Sequence, residues 1–483
     1  MSRHTLNGIS RLVVAGAALS GLLTCSCAEQ AAPGEKLGAL HKELVSALDR
    51  FERGGRWKEA DSSTLGWGCG QDLQALVYLY QATGERVWLD RLLKYAETMF
   101  ANLTPNRDGF LSWRSRGYSP AHAEVRPAAD NRSQATMVPR EEWTDDTLVC
   151  RQVKDAEFRL VAQKDATLAV ESAADKQALP AIHYEIGKPF AGPSGISLTL
   201  KAAPAEGDSF TLITRRPKDF DFAVHDGMVL MPVSRAIELV KGDQALTAVY
   251  GERADKLLRV IETQLIPKWD KYWRETKEGG FLVFPTDPGF RPSGSTMPHN
   301  QYLPLGTVQI TLHRITGKAA YKARAEQMAR FFRSCLRLVG DHYEWNYWDS
   351  AGEWDKPWDK PAEKRAEDTG HGSLDIAFVR ACAENGIVFE DADLKRFADT
   401  VIGAMWNGSL DKPTVGGYVN SKKPTRQSGN LQEWVMLCKV QPTVRRVCEH
   451  IIPAEGSLWA KAQLYFLWAA ESVKQPSAAR DAK

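Results

Sequence analysis

The chain has 483 residues and a formal net charge of +2, enough length for one large body plus a smaller module. That balance excludes a global electrostatic field as the means of holding nucleic acid or a membrane surface, so an anionic ligand would need local positive residues. The 15 Trp and 13 Tyr are more than a charged surface needs, and most belong in a core.

Arg3, His4 and Arg11 precede an uncharged apolar run, Leu12 to Leu23, that stops at Thr24-Cys25-Ser26-Cys27. Residues 1–27 read as an export signal, because the run is too short to span a bilayer as a helix. The closing cysteines resemble a bacterial lipobox. The expectation is an exported protein, periplasmic, extracellular or an outer-membrane lipoprotein, that starts at Cys25 or Cys27 and touches a membrane only through that anchor.

Residues 36–54 predict a first amphipathic helix. A helical hairpin follows at about 66–103, then a strand-like segment at 109–113 and a Pro-, Ala- and Arg-rich loop at 114–142. From Thr147 to Arg215 the period changes to short alternating runs (FRLVAQ, TLAVES, GISLTLKA, SFTLITR), which predict a small antiparallel β module inserted between helices. Helices resume at 226–246 and 249–265, and a GGFLVFP turn at 279–285 echoes the earlier DGFLSW. Further helices are expected at 371–385, 391–406, 430–439, 441–451 and 456–473, before a polar tail.

One segment occurs twice. Residues 76–100 (LVYLYQATGERVWLDRLLKYAETMF) align without a gap on 309–333 (QITLHRITGKAAYKARAEQMARFFR), with Leu79 on Leu312, Thr83-Gly84 on Thr316-Gly317, and Ala96 on Ala329. Each copy reads as apolar helix, Thr-Gly turn and amphipathic helix. Repeated hairpins, about six or seven of them, predict a mainly α (α/α)6–7 toroid. The expected division is signal 1–27, first part of the toroid 34–146, β module 147–220, remainder of the toroid 221–474 and tail 475–483.

Polar, reactive side chains open the expected inner helices: Trp67 and Gln71, His225 and Asp226, His299-Asn300-Gln301-Tyr302, Glu367-Asp368 with His371, and Tyr418. In a ring these starts share one end of the axis, where helix N-termini add partial positive charge. Asp226 and Asp368 also read as helix N-caps, and the aromatic run 343–348 reads as wall or core. His371 between two glycines is poorly placed for core packing and suits acid–base work. Cys69, Cys150, Cys335, Cys382, Cys438 and Cys448 contain no CxxC pair. Zinc and iron–sulfur clusters therefore have no support from spacing, no cofactor is expected, and free buried thiols are the plainer reading.

His225, Asn300, His371 and Tyr302 or Tyr418, with Arg291 and Arg426 nearby, suit β-elimination at a uronate. An Asn or His would neutralise the carboxylate, and a His or Tyr would remove the C5 proton without a metal. The hairpins, PHNQY (298–302) and EDTGHG (367–372) resemble α/α-toroid polysaccharide lyases of the alginate- and glucuronan-lyase type. That resemblance implies Asn300 as neutraliser, His371 as base or second neutraliser, and Tyr302 or Tyr418 as acid. Trp67, Gln71, His299, Gln301, Glu367, Asp368 and Arg426 would then bind an anionic polysaccharide. The alternatives are a glycoside hydrolase using two carboxylates among Asp226, Glu367, Asp368 and Glu433, and a non-catalytic glycan-binding lipoprotein.

Overall fold

The computed structural model describes residues 33–116, 121–139, 153–286, 293–351 and 365–472. The export signal, Cys150, Arg291, the expected module boundary at 147 and the tail 475–483 lie outside the described residues. Helix α1 (Pro33–Gly54) buries Leu40, Leu44, Leu48 and Phe51, the stripe its i, i+4 spacing dictates. Helices α2 (Gly70–Thr83) and α3 (Arg86–Ala101) form the first repeated hairpin.

After the β module come α4 (Ala223–Gly242), α5 (Gln244–Val260), α6 (His299–Thr316) and α7 (Ala319–Cys335). The helical body ends with α8 (Thr369–Glu384), α9 (Asp391–Asp399), α10 (Pro442–Glu455) and α11 (Leu458–Ser472).

The two repeat copies fold alike. Gly84 (φ 70°) and Gly317 (φ 71°) adopt the left-handed conformation, and each donates its N–H back to a helix carbonyl, of Tyr80 and His313 respectively. Leu79 and Leu312, and Ala96 and Ala329, are fully buried at equivalent positions. Helices α2, α4, α6 and α8 pack in that succession, and α11 returns to pack on α2. Helix α4 is buried on almost every side, which is why its sequence lacks a polar stripe.

The expected mainly α toroid with one small β module is nevertheless corrected. Among the described residues, 53% are helical and 18% are strand, with five sheets, so helix and sheet are mixed. A five-stranded antiparallel sheet has the order β3 (His122–Pro127), β10 (Ser209–Arg215), β5 (Ala156–Ala162), β6 (Thr167–Ser172), β7 (Ala178–His183). A three-stranded sheet has the order β4 (Met137–Pro139), β9 (Ser197–Leu200), β8 (Pro189–Ala191).

Alternate residues Phe158, Leu160 and Ala162 of β5, Leu168 and Val170 of β6, and Phe210 and Leu212 of β10 face a core separate from that of the helices. Strands β3 and β4 fall in the segment expected as a loop, because Pro, Arg and polar residues mask their alternation. Three two-stranded ribbons account for the rest: β1 (Thr104–Pro105) with β2 (Leu111–Ser112), β11 (Trp273–Thr276) with β12 (Gly279–Leu282), and β13 (Arg337–Val339) with β14 (His342–Glu344). Each follows the outer helix of a hairpin, where two to four residues are too few for a periodic signal.

A Cβ on Gly317 would meet nothing within 4 Å, so only its backbone conformation resists substitution. Gly317→Ala should lower stability by about 1 kcal/mol, the cost of a side chain in left-handed backbone. Urea denaturation measures it, and an unchanged midpoint would contradict the turn assignment.

Candidate functional site

The site is built where α8 begins. Residues 365–368 run extended between 345–347 and 417–419. Tyr347 N–H donates to the Arg365 carbonyl, Glu367 N–H to Trp345, Val419 N–H to Glu367 and Thr369 N–H to Gly417. This short ladder pairs Asn346 with Ala366 and Asp368 with Tyr418 at the head of α8. The chain then turns into helix, and Asp368 caps it, accepting from the His371 backbone N–H at 3.0 Å.

The same carboxylate holds the imidazole: Asp368 Oδ2 lies 2.7 Å from His371 Nδ1. Asp368 is thus both the N-cap of α8 and the partner of the His371 ring. Burial pushes Asp368 up, but the hydrogen bond and charge of His371 outweigh it and hold the carboxyl below its ordinary range.

His371 keeps 27% of its side chain exposed. Trp67 meets it edge-on at 5.6 Å between ring centroids, and Tyr347 tilts against it at 5.5 Å. Arg365 lies over both Tyr347 (5.1 Å) and Tyr418 (5.9 Å).

Trp67 also touches His225 at 6.0 Å, which brings the 64–69 turn, the start of α4 and the start of α8 together. Glycines permit that approach: a Cβ on Gly66 would sit 2.8 Å from His225 Cα, and one on Gly70 2.9 Å from the Met228 carbonyl oxygen. His225 is buried, its Nδ1 is 2.9 Å from Ser62 Oγ, and desolvation pushes its pKa down to about 3 against the charge of Asp61. It is a neutral packing group at physiological pH.

Behind His371, Glu367 and Asp375 are fully buried together. Glu367 Oε1 accepts from the Asp368 N–H at 2.8 Å, and Trp345 Nε1 donates to Asp375 Oδ2 at 2.9 Å. Burial first, and then the neighbouring carboxylates Asp375 and Asp368, push Glu367 well above its ordinary range. Burial does the same to Asp375, against the hydrogen bonds of Trp345 and Glu367. Two carboxyls buried in one place resist ionising together.

The other expected residues are placed differently. Tyr302 is fully buried with its hydroxyl 2.9 Å from His299 Nδ1, and burial raises its pKa well above the ordinary value, so it holds its proton. His299 turns its Nε2 to Asp349 Oδ2 at 3.0 Å. Asn300 is fully buried, and neither its amide oxygen nor its nitrogen has a protein partner; Gln301 Oε1 is likewise unmatched. Gln71 is half-buried and Arg426 exposed.

The rival carboxylates are engaged elsewhere. Asp226 accepts from Trp269 Nε1 at 2.8 Å and pairs with buried Lys268 at 2.7 Å, and burial, opposed by Lys268, raises it to about 6. Glu433 pairs with Arg380 and accepts from Gln463 and Tyr78.

Sequence reasoning missed Tyr347, Arg365, Asp375 and Asp349. The available signal was the alternation Tyr343, Trp345, Tyr347, which puts the third aromatic on the face of the first two. Among the described residues, two groups offer metal-ligand atoms within 4.8 Å of one another: Glu367, Asp368 and His371, and separately His299, Cys335 and Asp349. Burial, with the charge of Asp349, raises the Cys335 thiol to about 12.

No family model matches the chain, and no curated protein does. The solved structures that match include FlgL of Xanthomonas campestris in two crystal forms, each 10% identical, covering 47% of this chain and 85% or 89% of the other at a TM-score of 0.16. The flagellar junction protein FlgL of Legionella pneumophila is 16% identical, covering 47% of this chain and 86% of its own, again at 0.16. A likeness at that TM-score carries no argument for a flagellar role.

No family model and no curated protein supports the expected alginate- or glucuronan-type lyase. The lyase resemblance, the enzyme class and the anionic polysaccharide partner are corrected accordingly. Among the described residues no helix is long and apolar enough to cross a membrane.

The raised carboxyl pair makes a pH prediction. Glu367 and Asp375 bind protons more tightly folded than unfolded, so their contribution to stability is fully present below the ordinary carboxylate range and is lost as pH rises through the raised values. Asp375→Asn removes one titrating group and keeps an oxygen for Trp345. Its thermal midpoint should therefore fall less than that of the wild type between about pH 5 and pH 9. Equal declines in the two proteins would contradict a raised Asp375 carboxyl.

Proposed function

We propose that the head of α8 is a binding site for a small, uncharged polar ligand. It would seat against Trp67, Tyr347 and Tyr418 and exchange hydrogen bonds with His371. The observation that carries the reading is the part-exposed His371 imidazole, held at 2.7 Å by Asp368 between two aromatic rings. Aromatic side chains with a few placed polar groups are the usual lining of a small-molecule site.

The charges around it favour neutrality. Asp368 opposes an anion, and Arg365 over the two tyrosines opposes a cation. The N-terminal residues support export with a mature start at Cys25 or Cys27, so the ligand would be met outside the cytoplasm; intact-mass analysis of native protein showing an unprocessed Met1 would contradict that part.

Saturation-transfer NMR with a panel of neutral hydroxylated and amide-bearing compounds, and with cationic and anionic counterparts, tests the site. Neutral compounds should bind, and Trp67→Ala should weaken their Kd roughly tenfold, the value of one lost aromatic contact. Binding confined to charged compounds, or untouched by Trp67→Ala in a folded variant, would overturn the reading.

A further inference from the structure

Three side chains far apart in the sequence meet beside α6. His299 opens that helix, Cys335 ends α7, and Asp349 follows β14. One ligating atom from each lies within 4.8 Å of the others, and His299 Nε2 is 3.0 Å from Asp349 Oδ2.

Each of the two polar ligands has its other atom already engaged. His299 Nδ1 is 2.9 Å from the buried Tyr302 hydroxyl, and Asn346 Nδ2 donates to Asp349 Oδ1 at 2.8 Å. Outer contacts of this kind fix the ring orientation and carboxylate rotamer of metal ligands, leaving Nε2 and Oδ2 turned to a common point. A hydrogen-bonded His–Asp pair alone would not need a thiol at the same point.

We propose that His299 Nε2, Cys335 Sγ and Asp349 Oδ2 form a binding site for one Zn2+ ion. Mixed nitrogen, sulfur and oxygen donors select zinc over magnesium or calcium, which take oxygen alone. Zn–N and Zn–O bonds of about 2.0–2.2 Å and a Zn–S bond of about 2.3 Å place tetrahedral donors within roughly 4 Å of one another, so the three atoms need only a small inward shift. Three protein ligands leave a fourth position, and the side chain of Asp349, 23% exposed, lies on the side from which an ion and a water can enter.

The protons balance. Cys335 releases its thiol proton to solvent. Neutral His299, whose Nε2–H donates to Asp349 when no ion is bound, shifts that proton to Nδ1, where it donates to the Tyr302 oxygen, and thiolate plus carboxylate neutralise the dication. Nothing is oxidised or reduced.

The test is titration of the chelator-stripped full chain with Co2+, read by its thiolate charge-transfer band in the near ultraviolet and its visible d–d bands. Wild type should bind one equivalent with both signatures, and Zn2+ should displace it. Cys335→Ser should lose the charge-transfer band, and Tyr302→Phe, which keeps the ligands and the packing, should weaken the metal about 10–100-fold. Absence of the band in wild type, its persistence in folded Cys335→Ser, or unchanged affinity in Tyr302→Phe would each overturn the proposal.

Discussion

Everything at the head of α8 depends on burying two carboxyl groups in one place. Glu367 and Asp375 lie fully inside the protein, and neither can ionise beside the other without a large desolvation cost. The surrounding donors are arranged for that condition. Trp345 Nε1 holds Asp375, and the Asp368 N–H holds Glu367. Trp434, stacked on Trp345 at 6.0 Å, ties its own Nε1 to the Thr369 carbonyl. This knot keeps the 345–347, 365–368 and 417–419 ladder in register, and the ladder positions Asp368, and through it His371. A side chain one turn away is thus oriented by groups that never meet a ligand.

Two buried ion pairs brace the same body from outside the knot. Asp226 with Lys268 anchors the start of α4, and Glu433 with Arg380 joins α8 to the 434–439 turn. Such pairs add little net stability against a well-packed apolar alternative, yet removing one partner strands a buried charge and costs about 3–5 kcal/mol. They explain why carboxylates that look available for chemistry in the sequence are occupied in the fold.

Legibility in the sequence followed the length scale of the signal. The Thr-Gly hairpins were readable because Gly84 and Gly317 have one conformational job and their flanking stripes extend over several turns. The alternation of β5, β6 and β10 was readable for the same reason, whereas β3, β4 and the short ribbons were not. At the site, His371, Asp368, Glu367, Trp67 and Tyr418 could be picked out from their polar positions at element starts. Their grouping could be foreseen, but not the engagement of His299 by Tyr302 and Asp349, since nothing in PHNQY announces a partner 50 residues beyond His299. Likewise, a search for CxxC spacing cannot detect His299, Cys335 and Asp349, which only the packing of α6 against α7 brings together.

The central claim is that burial holds the Glu367 and Asp375 carboxyls above the ordinary carboxylate range in the folded protein. Infrared difference spectroscopy of the wild type against Asp375→Asn and Glu367→Gln reads this directly, because a protonated carboxyl has a C=O stretch well separated from carboxylate bands. A protonated-carboxyl band at pH 7 in wild type, altered or lost in each variant, is the predicted result. A wild-type spectrum containing only carboxylate bands, with both groups ionised, would contradict the account.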